Sequence, residues 1–207
     1  PIRYGDFLIL VQRRSQLFRE IIRACKSRGL PIAGADRLKV GAELAVKDLT
    51  ALLAFLALPD DDLALAAALR SPLFGMTEGE LFDLAHARRG KKLWPELQRR
   101  KAEFAEVFEV LTALRKVVDF LSPFELLERI LTRHHGRAQL LGRLGPEAED
   151  GIDALLSQAI GYEHTETPSL TGFLVWLQVE EVEIKRQPDS AGDRIRVMTT
   201  HGAKGLE

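Results

Sequence analysis

The stretch Asp6-Phe-Leu-Ile-Leu-Val-Gln12 decides the fold. Its five central residues are all apolar, with no alternation of polar and apolar positions. Such a run predicts a strand buried on both faces, the usual state in a parallel α/β sheet. The residues after it, Ser15 to Arg28, place Leu17, Phe18, Ile21, Ile22 and Cys25 at helical spacing, and Gly29 sits where a helix C′ glycine belongs. Leu30-Pro-Ile-Ala33 then reads as a short strand, so the opening is a parallel β-α-β unit.

The far end carries the same kind of signal. Gln187-Pro-Asp-Ser-Ala-Gly192 is a loop by its turn residues. Asp193-Arg-Ile-Arg-Val-Met-Thr-Thr200 alternates and reads as a strand. A glycine-punctuated tail, His201-Gly-Ala-Lys-Gly-Leu-Glu207, follows at once. Both ends read as cut from a longer chain, since Pro1 is not a methionine and a domain rarely stops one turn past a strand.

Between the ends the pattern is helical. Ala45 to Leu58 is apolar around most of its circumference and predicts a buried helix. Asp60-Asp-Asp62 precedes the next helix, Leu63 to Leu69, and reads as its cap rather than as a metal site. Thr77-Glu-Gly-Glu80 and Ser122-Pro-Phe-Glu125 have capping-box spacing, the second with proline at N1. Phe104, Val107, Phe108, Leu111, Leu114, Val118 and Leu121 stripe one long helix. Further helices run from Glu147 to Gly161 and from about Ser169, with Leu170, Phe173, Leu174 and Leu177 inward. The expected fold is therefore mainly α with a small α/β part, a partial parallel sheet interrupted by a large all-helical insertion. The boundaries fall at residues 1–41, 42–186 and 187–207.

Composition narrows the function classes. The 207 residues carry 29 Lys plus Arg against 30 Asp plus Glu, a net charge of −1, so nucleic-acid contact would have to be local. Apolar stretches such as Leu49–Leu58 are far shorter than the ~20 residues a bilayer requires, and no membrane partner is expected. With no leader segment and a single cysteine, Cys25, a reducing, cytoplasmic setting is expected. His134-His135 has no ligand at metal spacing, so no metal site is expected within the chain. There is no Gly-x-x-x-x-Gly-Lys-Ser/Thr loop, so the chain by itself should not hydrolyse a nucleotide.

Two segments can carry chemistry. Gln12-Arg-Arg-Ser15 leaves the carboxyl end of the opening strand, the edge where ligands bind in open α/β sheets. Two guanidiniums there can clamp phosphate oxygens, although a solvated charge pair explains the residues equally well. In Thr199-Thr-His-Gly-Ala-Lys-Gly-Leu-Glu207, the small residues let backbone N–H groups approach a phosphate. Thr199, Thr200, His201 and Lys204 add donors suited to a nucleic-acid backbone. Glu207 needs a sugar hydroxyl, a cation or an arginine instead. The basic run Arg88, Arg89, Lys91 and Lys92, with Arg99, Arg100 and Lys101 nearby, reads first as a solvated helix surface and second as a duplex contact.

Val197-Met-Thr-Thr-His-Gly-Ala-Lys-Gly-Leu-Glu207 resembles motif V of the UvrD/Rep-type superfamily 1 DNA helicases, and Gly5-Asp-Phe-Leu-Ile-Leu-Val-Gln-Arg-Arg14 resembles motif IV. Val46-Lys-Asp48 is similar to the Ile-Lys-Asp that follows it in that family. Pro31-Ile-Ala-Gly-Ala-Asp-Arg37, Leu58-Pro-Asp-Asp-Asp-Leu-Ala-Leu-Ala66 and Ser71-Pro-Leu-Phe-Gly75 look like the AddA branch, the helicase-nuclease subunit of double-strand-break repair. The resemblance implies a RecA-like subdomain 2A (1–41 and 187–207) interrupted by a helical subdomain 2B (42–186). It implies ATP and Mg²⁺ in the intact protein and none held by the isolated chain. The implied partners are single- and double-stranded DNA and a second helicase-nuclease subunit. The motif IV arginine that reaches the γ-phosphate falls near Gln12 here, leaving Arg13, then Arg14, as the catalytic candidates. Gln12, Gly205 and Glu207 match nucleotide-side positions, while Thr199, Thr200, His201 and Lys204 match strand-side ones. The competing reading is a non-catalytic helical interaction module on a small α/β base.

Overall fold

A computed structural model describes residues 2–12, 16–34, 37–39, 43–86, 88, 90–146, 148–179, 183–185 and 193–200. The chain divides into two compact units, Pro1–Leu38 with Glu183–Glu207, and Lys39–Val182. The described residues are mainly helical, with a small parallel α/β part.

The first unit holds β1 (Leu8–Val11), α1 (Gln16–Ser27), β2 (Ile32–Gly34), β3 (Arg37–Lys39), β4 (Glu183–Lys185) and β5 (Ile195–Thr199). Three strands form a sheet in the order β1-β5-β2, both pairings parallel, and β3 pairs with β4 separately. The opening β-α-β unit is thus parallel as expected, but its two strands are not neighbours. β5 lies between them, with Leu8 opposite Arg196, Val11 opposite Thr199, and Ile32 opposite Ile195. Hydrogen bonds at the amino ends support this register: Ile195 N–H donates to the Pro31 carbonyl (2.8 Å) and Gly5 N–H to Asp193 Oδ1 (2.7 Å).

One sheet face packs on α1. Phe18, Ile21 and Ile22 meet Ile9, Val11, Ile32 and the fully buried Val197. The helix ends as expected at Gly29, whose φ of +68° costs an L side chain strain. Leu30 N–H then donates back to the Cys25 carbonyl (3.0 Å), the long bond of a Schellman cap. Burial of the opening run on both faces does not hold. Leu8 and Leu10 are 42% and 49% exposed, because α1 covers the opposite face, the one that Ile9 and Val11 line.

The second unit is helical: α2 (Leu44–Ala57), α3 (Asp62–Arg70), α4 (Glu78–His86), α5 (Leu93–Arg99), α6 (Ala105–Arg115), α7 (Pro123–Glu128), α8 (Gly136–Leu144), α9 (Ala148–Thr165) and α10 (Leu170–Val179). Its centre is α2, which buries Ala45, Val46, Leu49, Leu52, Leu53, Phe55 and Leu56 against α3, α9 and α10. Asp61 caps α3 by accepting from Ala64 N–H (2.9 Å). Both capping boxes form: Thr77 with Glu80, and Ser122 with Glu125 under Pro123.

The long helix expected over 104–121 is shorter. α6 ends at Arg115, and the following residues tighten into turns, with Val117 N–H on the Leu114 carbonyl. Two β-branched valines and the approaching Ser122-Pro123 disfavour further α-helix there. Both tryptophans sit among aromatic side chains: Trp94 lies between Phe55 and Phe108, and Trp176 lies beside Tyr162 and Phe173.

The carboxyl edge of the sheet as candidate functional site

β1 and β5 are adjacent and parallel, and Val11 pairs with Thr199 as the last step of their ladder. Neighbouring strands lie about 4.8 Å apart. The residue after each strand end, Gln12 and Thr200, is exposed, and both leave the sheet from the same edge. α1 begins at Gln16, so its amino terminus and the positive end of its dipole follow the same strand end. The first turn of α1 contains no acidic residue to offset that charge. Chain thus arrives on this edge from two places far apart in sequence.

Of the residues singled out in the sequence, Gln12, Thr199 and Thr200 are described, and the parallel register brings them to one edge. Arg13, Arg14, His201, Lys204, Gly205 and Glu207 lie outside the described residues.

The basic run on the helical unit is largely paired within the unit. Arg88 pairs with Asp62, and Lys92 Nζ donates to the Asp60 carbonyl (2.9 Å). Arg99 binds the buried Glu96, and Arg100 binds Glu103 while also donating to the Asp83 carbonyl (3.2 Å). These hydrogen bonds hold the Glu96 and Glu103 carboxyls below the usual range. Lys91 and Lys101 remain exposed, and Arg89 lies outside the described residues. Such pairing suits a solvated surface better than a phosphate track.

At the end of the π turn Arg129–Arg133, His134 is held below its ordinary pKa by burial, then by Arg129, Arg133 and His135. Among the described residues no three His, Cys, Asp or Glu side chains gather as a metal cage. No described helix is long and apolar enough to cross a membrane.

From sequence, Asp48 stands out only within Val46-Lys-Asp48. In the structure its carboxyl is half-buried without a hydrogen-bond or ion-pair partner among the described residues, and burial pushes its pKa from 3.8 up to about 6. No local signal reveals this, because the lack of a partner is a property of the packed helices around it.

Comparison with known proteins agrees with the motif reading. An ATP-dependent helicase/nuclease subunit of Levilactobacillus brevis is 27% identical over 228 residues, covering 100% of this chain and 18% of that protein. Its counterpart from Geobacillus thermodenitrificans is 27% identical over 224 residues, covering 99% and 18%. The ATP-dependent DNA helicase PcrA of Bacillus subtilis is 28% identical over 224 residues, covering 99% of this chain and 30% of PcrA. No protein-family model matches the chain. The resemblance to UvrD/Rep-type helicases, AddA among them, thus extends over the whole chain, which spans less than a third of the length of these relatives.

Proposed function

We propose that the chain is part of an ATP-dependent DNA helicase of the UvrD/Rep type, AddA-like, acting in double-strand-break repair and recombination. Residues 1–41 and 187–207 form portions of a RecA-like subdomain 2A, and residues 42–186 form subdomain 2B. ATP and Mg²⁺ sit between subdomain 2A and a second RecA-like domain of the intact protein. The observation that carries this reading is the parallel pairing of Val11 with Thr199, which brings Gln12 and Thr200 to one sheet edge.

Each residue then has a role that its chemistry fits. Arg13, with Arg14 behind it, neutralises charge on the transferring γ-phosphoryl group, as a planar guanidinium does well. Gln12, Gly205 and Glu207 serve the nucleotide side: a glycine admits close backbone approach, and a carboxylate accepts from ribose hydroxyls. Thr199, Thr200, His201 and Lys204 hold a single strand by its backbone. One edge holding both ligands couples hydrolysis to movement of the strand. The helical subdomain is regulatory or contacts a second helicase-nuclease subunit. The internal pairing of Arg88, Lys92, Arg99 and Arg100 favours that over a broad duplex surface.

The test is the DNA-stimulated ATPase rate of the intact protein. Removing such an arginine finger costs orders of magnitude in turnover. Arg13→Ala is expected to lower kcat by about a hundredfold or more, with Arg14→Ala milder and nucleotide binding retained in both. Full activity in both variants would contradict the assignment, as would ATP turnover by the 207-residue chain alone.

A further inference from the structure

On the helical unit, α2, α3 and α8 enclose an open cleft of about 670 Å³. That is within the range of clefts that take small ligands. Asp48 lines it from α2, Arg70 and Ser71 from the end of α3, and Gln139 and Arg143 from α8. The two arginines differ. Arg70 is occupied, donating to the Met76 carbonyl and pairing with Glu78 (3.4 Å). Arg143 is exposed, with no partner among the described residues. Ser71 is buried and fixes the wall, donating to the Ala68 carbonyl (2.6 Å) and accepting from Leu73 N–H (3.2 Å).

A half-buried carboxylate that no described protein group meets is open to donors from a ligand. Its two oxygens accept two parallel N–H groups best. From α8, Arg143 lines the same cleft and offers a fork of donors to an anion. The complementary ligand has adjacent N–H donors at one end and an anionic oxygen at the other. Guanine presents N1–H and N2–H side by side on its Watson–Crick edge, whereas adenine sets an acceptor beside its donor, which would oppose a carboxylate oxygen.

We propose that this cleft binds a guanine base of a nucleic-acid strand, with Asp48 accepting from N1–H and N2–H and Arg143 holding its phosphate. Choosing a nucleotide over a zwitterionic peptide of similar polarity rests on the strand-handling reading above.

The experiment titrates the 207-residue chain with 2′-deoxyguanosine 5′-monophosphate, 2′-deoxyadenosine 5′-monophosphate, deoxyguanosine and the dipeptide Arg-Gly, followed by NMR. The guanine nucleotide is expected to bind at least ~10-fold more tightly than the adenine nucleotide, the discrimination one good bidentate pair provides. Asp48→Asn, the same shape with one acceptor and one donor, should erase that preference. Arg143→Ala should weaken both nucleotides by a similar factor and leave deoxyguanosine unchanged. Melting curves confirm that each variant is folded. Equal binding of the two nucleotides by the unmodified chain overturns the proposal, as does a guanine preference that survives Asp48→Asn. Tighter binding of Arg-Gly than of either nucleotide replaces the ligand class. A guanine preference in the chain beside an intact protein without DNA-stimulated ATPase keeps the cleft and drops the motor; the reverse result keeps the motor and drops the cleft.

Discussion

Asp48 shows how a single residue can work against the fold. Burial raises its pKa from 3.8 to about 6, so ionising it costs more in the native state than in the unfolded chain. The sign follows directly. The cost is present in full above pH 6, shrinks as pH falls through the folded pKa, and is gone below 3.8, where both states are protonated. Asp48→Asn should therefore stabilise the chain at pH 7 by about 1–2 kcal/mol, a figure reduced for a carboxyl half open to water. Denaturant melts at pH 7 and pH 4 check it: the gain should be clear at the first and nearly absent at the second. Equal stability of the two proteins at pH 7 would contradict this account of Asp48. Such a residue is not legible in sequence, since an aspartate on an apolar helix reads the same whether or not a cation meets it.

At the scale of elements, legibility follows the range of the interaction. Asp61, the Thr77–Glu80 box and the Ser122–Glu125 box each involve residues three apart, so sequence spacing alone specifies them. Ser122→Ala removes one of these caps and should cost about 1 kcal/mol, visible as a lower denaturation midpoint with unchanged slope. A loss below a few tenths would mean that Pro123 and Glu125 hold the start of α7 without the serine. Coverage of a strand is a different matter. The apolar run at Leu8–Val11 signals a sheet, but whether Leu8 and Leu10 meet a helix depends on elements elsewhere, and here they are exposed. α6 illustrates the opposite error: its apolar stripe continues past Arg115, but the backbone does not, because local sterics end the helix first.

The whole chain builds its sheet unit from two segments that the helical unit separates in sequence. β5, near the end of the chain, lies between two strands from its beginning, and Asp193 reaches back to Gly5. No local pattern encodes those pairings. The mixed α and α/β character is readable from periodicity, and Gln12, Thr199 and Thr200 are recognisable in sequence as residues at the carboxyl ends of strands. Their arrival at one edge comes only with the register. The central claim is that this edge is one shared grip on nucleotide and strand. A double-mutant cycle on the DNA-stimulated ATPase of the intact protein, using Arg13→Ala and His201→Ala, tests it most directly. A shared grip predicts that the double variant loses at least ~10-fold less than the product of the two single losses, a coupling of about 1.4 kcal/mol or more. Losses that simply multiply would mean that the two residues act independently, contradicting the claim.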